Sequence, residues 1–90
     1  MITQNENCEG LGDVVIRTLK WSQQAGLQDL DDYKLVPIVL SMAVIDDKGA
    51  PLKSEDEWDD FVGGHRAASL ELFGKCMKLN DFDGSKATKK

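Results

Sequence analysis

The chain offers few side chains for covalent or acid–base chemistry: one histidine, His65, and two cysteines, Cys8 and Cys76. A histidine can act as a general base near neutral pH, but only with a partner group and a pocket. The neighbours Gly63, Gly64 and Arg66 supply no such partner, and no GxSxG nucleophile elbow occurs. His65 therefore reads as a residue at the start of a helix. The cysteines form no CxxC pair and lie far from the histidine. Zinc needs about four ligands at recognisable spacing, so no metal site is expected. Two free thiols suit a chain whose N-terminus lacks the basic and apolar regions of an export signal; a Cys8–Cys76 bridge is the alternative. Gly10-Leu11-Gly12 precedes an apolar run, the reverse of the order in a phosphate-binding loop. Asp81-Phe82-Asp83-Gly84 begins like a calcium loop, but its first ligand position would be Leu79 and its last Lys90. No enzyme and no cofactor are expected.

Carboxylates are the abundant reactive groups. The run Glu55-Asp56-Glu57-Trp58-Asp59-Asp60, with Asp29, Asp31 and Asp32, holds eight of the 16 acids. Calcium, a mimic of DNA and a docking patch for a basic partner are the sharp readings. The bland one is a solvated helix start whose acids suit the helix dipole. Calcium lacks the loop pattern. A DNA mimic of this size would carry more than the net charge of −5. An actual nucleic-acid binder would need clustered Lys and Arg, so none is expected.

The elements that must position these groups belong to one small domain. Ninety residues that are 41% hydrophobic and 30% charged are too apolar for a wholly disordered chain and too charged for a membrane protein. No apolar run approaches the roughly 20 residues that span a bilayer. Residues 1–9 are polar and read as a flexible N-terminus. Gly10-Leu11-Gly12-Asp13 is a turn signal. Val14 to Leu19 is short and β-branched, and reads as a strand. It must pair with something: the segment around Ile2 to Cys8, another part of the chain, or a second subunit. Lys20 to Tyr33 has helical spacing with Trp21, Ala25, Leu27 and Leu30 near one face, and predicts a short helix ending near Leu30.

Leu35 to Ile45 admits a buried strand or a helix. Pro37 disfavours a central strand and suits a helix's first turn. Leu35, Ile38, Val39, Met42 and Ile45 then share a face, and helix is the reading adopted. Asp46 to Pro51 is a turn. Ser54 and Glu57 fit a capping box, opening a helix through Trp58 and Phe61 to about Val62. Gly63-Gly64 breaks it. His65 to Asn80 is the clearest helix, with Ser69, Leu72, Phe73, Cys76 and Leu79 on one stripe and Leu70 and Met77 on a second. The fold class expected is α+β, predominantly α: a short N-terminal β element, then three to four helices over residues 10–84, and a disordered basic tail at 85–90. That tail holds three of the 11 bases, so the acidity belongs to the domain itself. Two apolar faces on the last helix motivate one turned inward and one offered to a neighbour.

The order of the blocks carries a resemblance. Glu9-Gly10-Leu11-Gly12-Asp13-Val14-Val15-Ile16-Arg17-Thr18-Leu19 resembles the N-terminal part of the tail assembly chaperones of long-tailed bacteriophages. There a Gly-containing turn leads into a short strand, Arg-x-Leu and a helix. The apolar run Leu35 to Ile45 followed by Asp46-Asp47-Lys48-Gly49-Ala50-Pro51-Leu52 is similar to that family's second block. Ser54 to Asn80, through Ala67-Ala68-Ser69-Leu70-Glu71-Leu72-Phe73 to Leu79-Asn80, is similar to its third. The resemblance covers residues 9–82. Lys53 departs from it, standing where the family often has Phe.

The resemblance implies a non-enzymatic morphogenesis factor without catalytic, metal or cofactor-binding residues. Its implied partners are the long apolar tape measure protein, further copies of itself in a ring or spiral, and the major tail protein through a longer frameshifted form. It implies a site in the host bacterial cytoplasm and absence from the mature virion. Trp58, Phe61, Leu70, Phe73 and Met77 are the residues expected at subunit or client contacts. The alternative function is a small acidic inhibitor or adaptor that docks on a basic surface through Glu55 to Asp60.

Overall fold

A computed structural model describes residues 2–27 and 31–80. The chain is α+β and predominantly α. Strands β1 (Thr3–Cys8) and β2 (Gly12–Arg17) form a hairpin, followed by helices α1 (Trp21–Ala25) and α2 (Asp32–Ala43), strand β3 (Val44–Ile45), and helices α3 (Glu55–Gly64) and α4 (Arg66–Leu79). The antiparallel sheet has the order β1-β2-β3.

β2 finds its partner in the segment that sequence reasoning left loose. Thr3 to Cys8 pairs with Arg17 to Gly12 in continuous register, so residues 1–9 are corrected from a flexible terminus to one that contains a strand. The segment around Ile2 to Cys8 is one of three candidate partners in the sequence, and its polar residues give no ground for preferring it. It is an edge strand, and its side chains from Thr3 to Asn7 are exposed or half-buried, with only Cys8 reaching the core. Backbone pairing, not apolar alternation, makes such a strand. Gly10 closes the hairpin at φ +93, a conformation that residues with a Cβ rarely adopt.

α1 is a single turn that stops at Ala25, short of the expected end near Leu30. Gly26 follows it, and the Leu27 N–H turns back to the Gln24 carbonyl at 3.1 Å. Leu27 is buried, but Trp21 is 71% exposed, so the inward face expected for this helix does not include it.

Leu35 to Ala43 is helical, and only Val44–Ile45 at its end is strand. The helix begins at Asp32, which puts Pro37 inside it and not in its first turn. Pro37 cannot donate to the Tyr33 carbonyl one turn earlier, a cost that burial of this segment outweighs. Leu35, Val36, Val39, Leu40 and Ala43 are buried, while Ile38 and Met42 are half-buried. The inward face is thus rotated from the expected one. β3 then joins the sheet through Val15↔Ile45 and Ile16↔Val44.

The turn after β3 is held by Asp46. Its Oδ1 accepts from the N–H groups of Lys48 at 2.8 Å and Ala50 at 3.0 Å. α3 opens with the expected capping box: Ser54 Oγ accepts from the Glu57 N–H at 3.2 Å, and Glu57 Oε1 accepts from the Ser54 N–H at 2.9 Å. Gly64 ends α3, and His65 serves as both its C-cap and the N-cap of α4.

α4 buries Ser69, Leu72 and Cys76 and stops at Asn80. Asn80 is more than a stop signal. It is buried, and its Oδ1 accepts from the Leu19 N–H. Its Nδ2 donates to the carbonyls of Cys76 at 2.8 Å and Arg17 at 3.3 Å. One amide satisfies backbone groups at the exit of β2 and at the end of α4. Arg17 Nε reaches the Met42 carbonyl at 2.8 Å, so the end of α2 is tied to the same corner. Asp81 to Gly84 and the basic tail 85–90 lie outside the described residues. Replacing Asn80 with Ala strands the buried Leu19 N–H, while the Cys76 carbonyl keeps its bond from the backbone N–H of residue 80; the expected loss is about 1–3 kcal/mol, read as a lower urea midpoint at unchanged m-value.

Candidate docking surfaces

The groups with reactive chemistry are placed in structural roles. The His65 ring stacks on Phe61 with centroids 4.3 Å apart, and its Nδ1 lies 3.4 Å from the Phe61 carbonyl oxygen. It also covers the hairpin turn: a Cβ on Gly10 would lie 2.8 Å from His65 Cδ2. Cys8 and Cys76 are free and buried. Burial raises the Cys8 thiol pKa, with Glu71 adding to the effect. Burial, with Glu6 beyond it, pushes Cys76 up to about 12. Among the described residues, no group of three His, Cys, Asp or Glu could hold a metal ion.

The five side chains expected at contacts separate into two groups. Trp58 is 0% exposed and sits in the core, so its place among surface contacts is corrected. An edge-on ring contact with Phe61, centroids 5.5 Å apart, anchors it. Its acidic neighbours made it look superficial, but Trp58 occupies the one inward position of that turn of α3. Its Nε1 has no acceptor among the described residues, nor has Ser69 Oγ a partner. Phe61 is half-buried between Trp58, His65 and Lys53, whose Nζ lies 5.5 Å from the ring centroid. The Lys53 ammonium thus rests on an aromatic face.

Leu70, Phe73 and Met77 lie on α4. Leu70 is 43% exposed, and Phe73 and Met77 are half-buried. Spacings of three and four residues bring them to neighbouring positions along the helix. Gly74 adjoins them, and a Cβ built on it meets nothing within 4 Å. The result is a hollow of about 440 Å³ bordered by Glu71, Gly74, Lys75, Met77 and Lys78. Lys75 is engaged at its edge, 3.0 Å from Glu6 of β1 and 3.5 Å from Glu71. A hydrogen bond from Gln4, and then Lys75, lowers the Glu6 pKa. The stabilisation from this group is present above the ordinary glutamate range and is lost as pH falls through the lowered value.

A second surface joins two elements distant in sequence. Tyr33, Pro37 and Ile38 of α2 face Glu55, Asp56 and Asp59 of α3 across a cleft of about 330 Å³, with Lys34 at its rim. Tyr33 is 73% exposed. Sequence reasoning found the acids but not the aromatic and aliphatic side chains beside them. The signal was an apolar helix carrying more apolar residues than one buried face needs.

Together these elements form a small α+β domain with an exposed apolar side chain on α4 and an acid-lined cleft between α2 and α3. Comparison with family models, with curated proteins and with solved structures returned no match. No described helix is long and apolar enough to cross a membrane. Thiol burial has a direct readout. At pH 8, a thiol with a pKa near 12 is ionised in only about one molecule in 10⁴. Iodoacetamide should leave Cys76 unmodified in the native protein and label both cysteines on unfolding in urea, as followed by intact mass.

Proposed function

We propose that this protein is a tail assembly chaperone of a long-tailed bacteriophage, which self-associates and keeps the tape measure protein soluble in the host cytoplasm until the tail tube forms. The resemblance of residues 9–82, in three ordered blocks, supplies the family. The single structural observation that supports a client-binding role is the exposed apolar side of α4, where Leu70 stands 43% exposed beside Phe73 and Met77.

A long apolar helical client would aggregate unless covered. Many small subunits, each offering a weak apolar face, can cover it by multivalency. The acidic remainder of each subunit keeps the coat soluble. The major tail protein would be engaged through a longer frameshifted form. Nothing in this role calls on a catalytic group.

The cleft between Tyr33 and Glu55 favours a second reading, an acidic adaptor seated on a basic partner. The two readings differ in which face matters. Co-expression with the tape measure protein from the same genome should retain that protein in the soluble fraction. Leu70→Asp or Met77→Asp should reduce its recovery at least tenfold, and charge reversal at Glu55 to Asp60 should reduce it less. Failure of the wild-type chain to retain the client would overturn the chaperone reading. A client lost only on charge reversal would favour the adaptor.

A further inference from the structure

We infer that the cleft between α2 and α3 seats an arginine-bearing segment of a partner protein, with a guanidinium stacked on Tyr33 and donating to the carboxylates of α3 and to the Tyr33 carbonyl. The inference rests on the second reading above, in which the chain docks on a basic partner, and not on the face of α4.

The cleft is rich in acceptors that lack a donor. Pro37 has no N–H, so the Tyr33 carbonyl one turn earlier loses its helical donor. That carbonyl points toward the Pro37 ring, and both residues line the cleft. Opposite them stand Glu55, Asp56 and Asp59 of α3. None of the three makes an ion pair among the described residues, nor does Lys34, the cation at the rim. Three carboxylates against one ammonium leave the cleft negative. Glu55 and Asp56 lie in the first turn of α3, where the helix dipole favours acids, but Asp59 lies beyond it. Asp59 is three positions from Asp56 and four from Glu55, spacings at which like charges repel along a helix. Asp59 therefore weakens α3 on its own, and a cation from outside would offset that.

A guanidinium fits these groups better than an ammonium. It is flat enough to lie on an aromatic ring, and its fork of N–H donors can reach a carboxylate and a carbonyl together. The Tyr33 ring, 73% exposed, is open to such a cover. A lysine ammonium is a compact, strongly hydrated charge that uses neither ring nor fork as fully. A volume of about 330 Å³ is at the low end for ligand pockets and suits one or two side chains, not a whole helix. Exposed charges hold a lone ion weakly in salt. A protein segment adds an apolar neighbour against Pro37 and Ile38, both half-buried, and so holds where a free guanidinium compound does not.

The probe is the peptide Gly-Leu-Gly-Arg-Gly-Arg-Gly, blocked at both ends; an extended backbone puts its leucine and both arginines on one side. Titrated into the ¹⁵N-labelled full chain, it should move the amides of Tyr33 to Ile38 and of Glu55 to Asp59 and reach saturation. The same peptide with lysine for arginine should bind about fivefold more weakly or worse, and arginine amide should not saturate over the same range. Tyr33→Ala should remove the preference for arginine, and Asp59→Asn should weaken both peptides. Pro37→Ala restores a donor to the Tyr33 carbonyl. It should raise the urea midpoint and yet weaken the arginine peptide about threefold or more, a pairing that a merely structural proline would not give. Shifts centred elsewhere, no binding, equal affinity for the two peptides, arginine amide as tight as the peptide, or unchanged binding in Tyr33→Ala or Pro37→Ala would each overturn the inference. Equal affinities that both fall in Asp59→Asn sink the arginine seat and leave the basic-partner reading standing. Peptide binding as described, with client retention indifferent to charge reversal at Glu55 to Asp60, sinks that reading and leaves the seat.

Discussion

Helix α2 turns a broad apolar face inward, and the other elements are arranged around the need to cover it. Val39, Leu40 and Ala43 are fully buried. α3 and α4 pack along it, and β3 continues directly from its end into the sheet. Ile16, Val14 and Leu19 bring the hairpin to the same core, and Trp58 and Leu72 bring the two later helices. A chain this short buries only enough apolar surface for marginal stability, so a central helix used on several sides is an economical core. Small losses of packing around it would therefore matter more than the same losses in a larger domain.

What the sequence made legible follows from how local the determining interactions are. The capping box at Ser54 and Glu57 and the turn at Asp46 are written in residues a few positions apart, and the structure places both as expected. The helical reading of Leu35 to Ile45 is right as far as Ala43, where apolar residues recur at helical spacing, and gives way to strand at Val44–Ile45. β1 stayed one of three candidate partners for β2 because an exposed edge strand needs no apolar pattern, only a neighbour to pair with. The burial of Trp58 was obscured by five acids around it, all of which lie outward on the same helix. The cleft joining Tyr33 to Glu55 depends on α2 packing against α3, and no local pattern encodes that. Asn80 was read as a helix stop; its bonds to Arg17 and Leu19, more than 60 positions away, are tertiary information.

The side chains with reactive chemistry are built into packing and turns. The protein's histidine is spent on stacking and on closing a turn, its thiols are held protonated in the core, and its uncommitted charge lies on rims. Surface charge of mixed sign on an acidic body discourages indiscriminate association while permitting a matched one. Large apolar side chains stand exposed on separate helices, Tyr33 on α2 and Leu70 on α4. Phe61 is a contrast: its inner edge completes the core against Trp58, and its faces are covered by His65 and by the Lys53 ammonium rather than left to a partner.

The amide of Asn80 also has a mechanical meaning. It sits at the last turn of α4 and is bonded to the exit of β2, so the helix end and the sheet form one anchorage point. A pull on the chain beyond Asn80 would load that corner before it could unwind α4 from its end. Force delivered there is shared with β2, and through Arg17 with the end of α2. The side chain that finishes the last helix thus decides that the domain resists traction at its C-terminal side as a unit, and does not fray turn by turn.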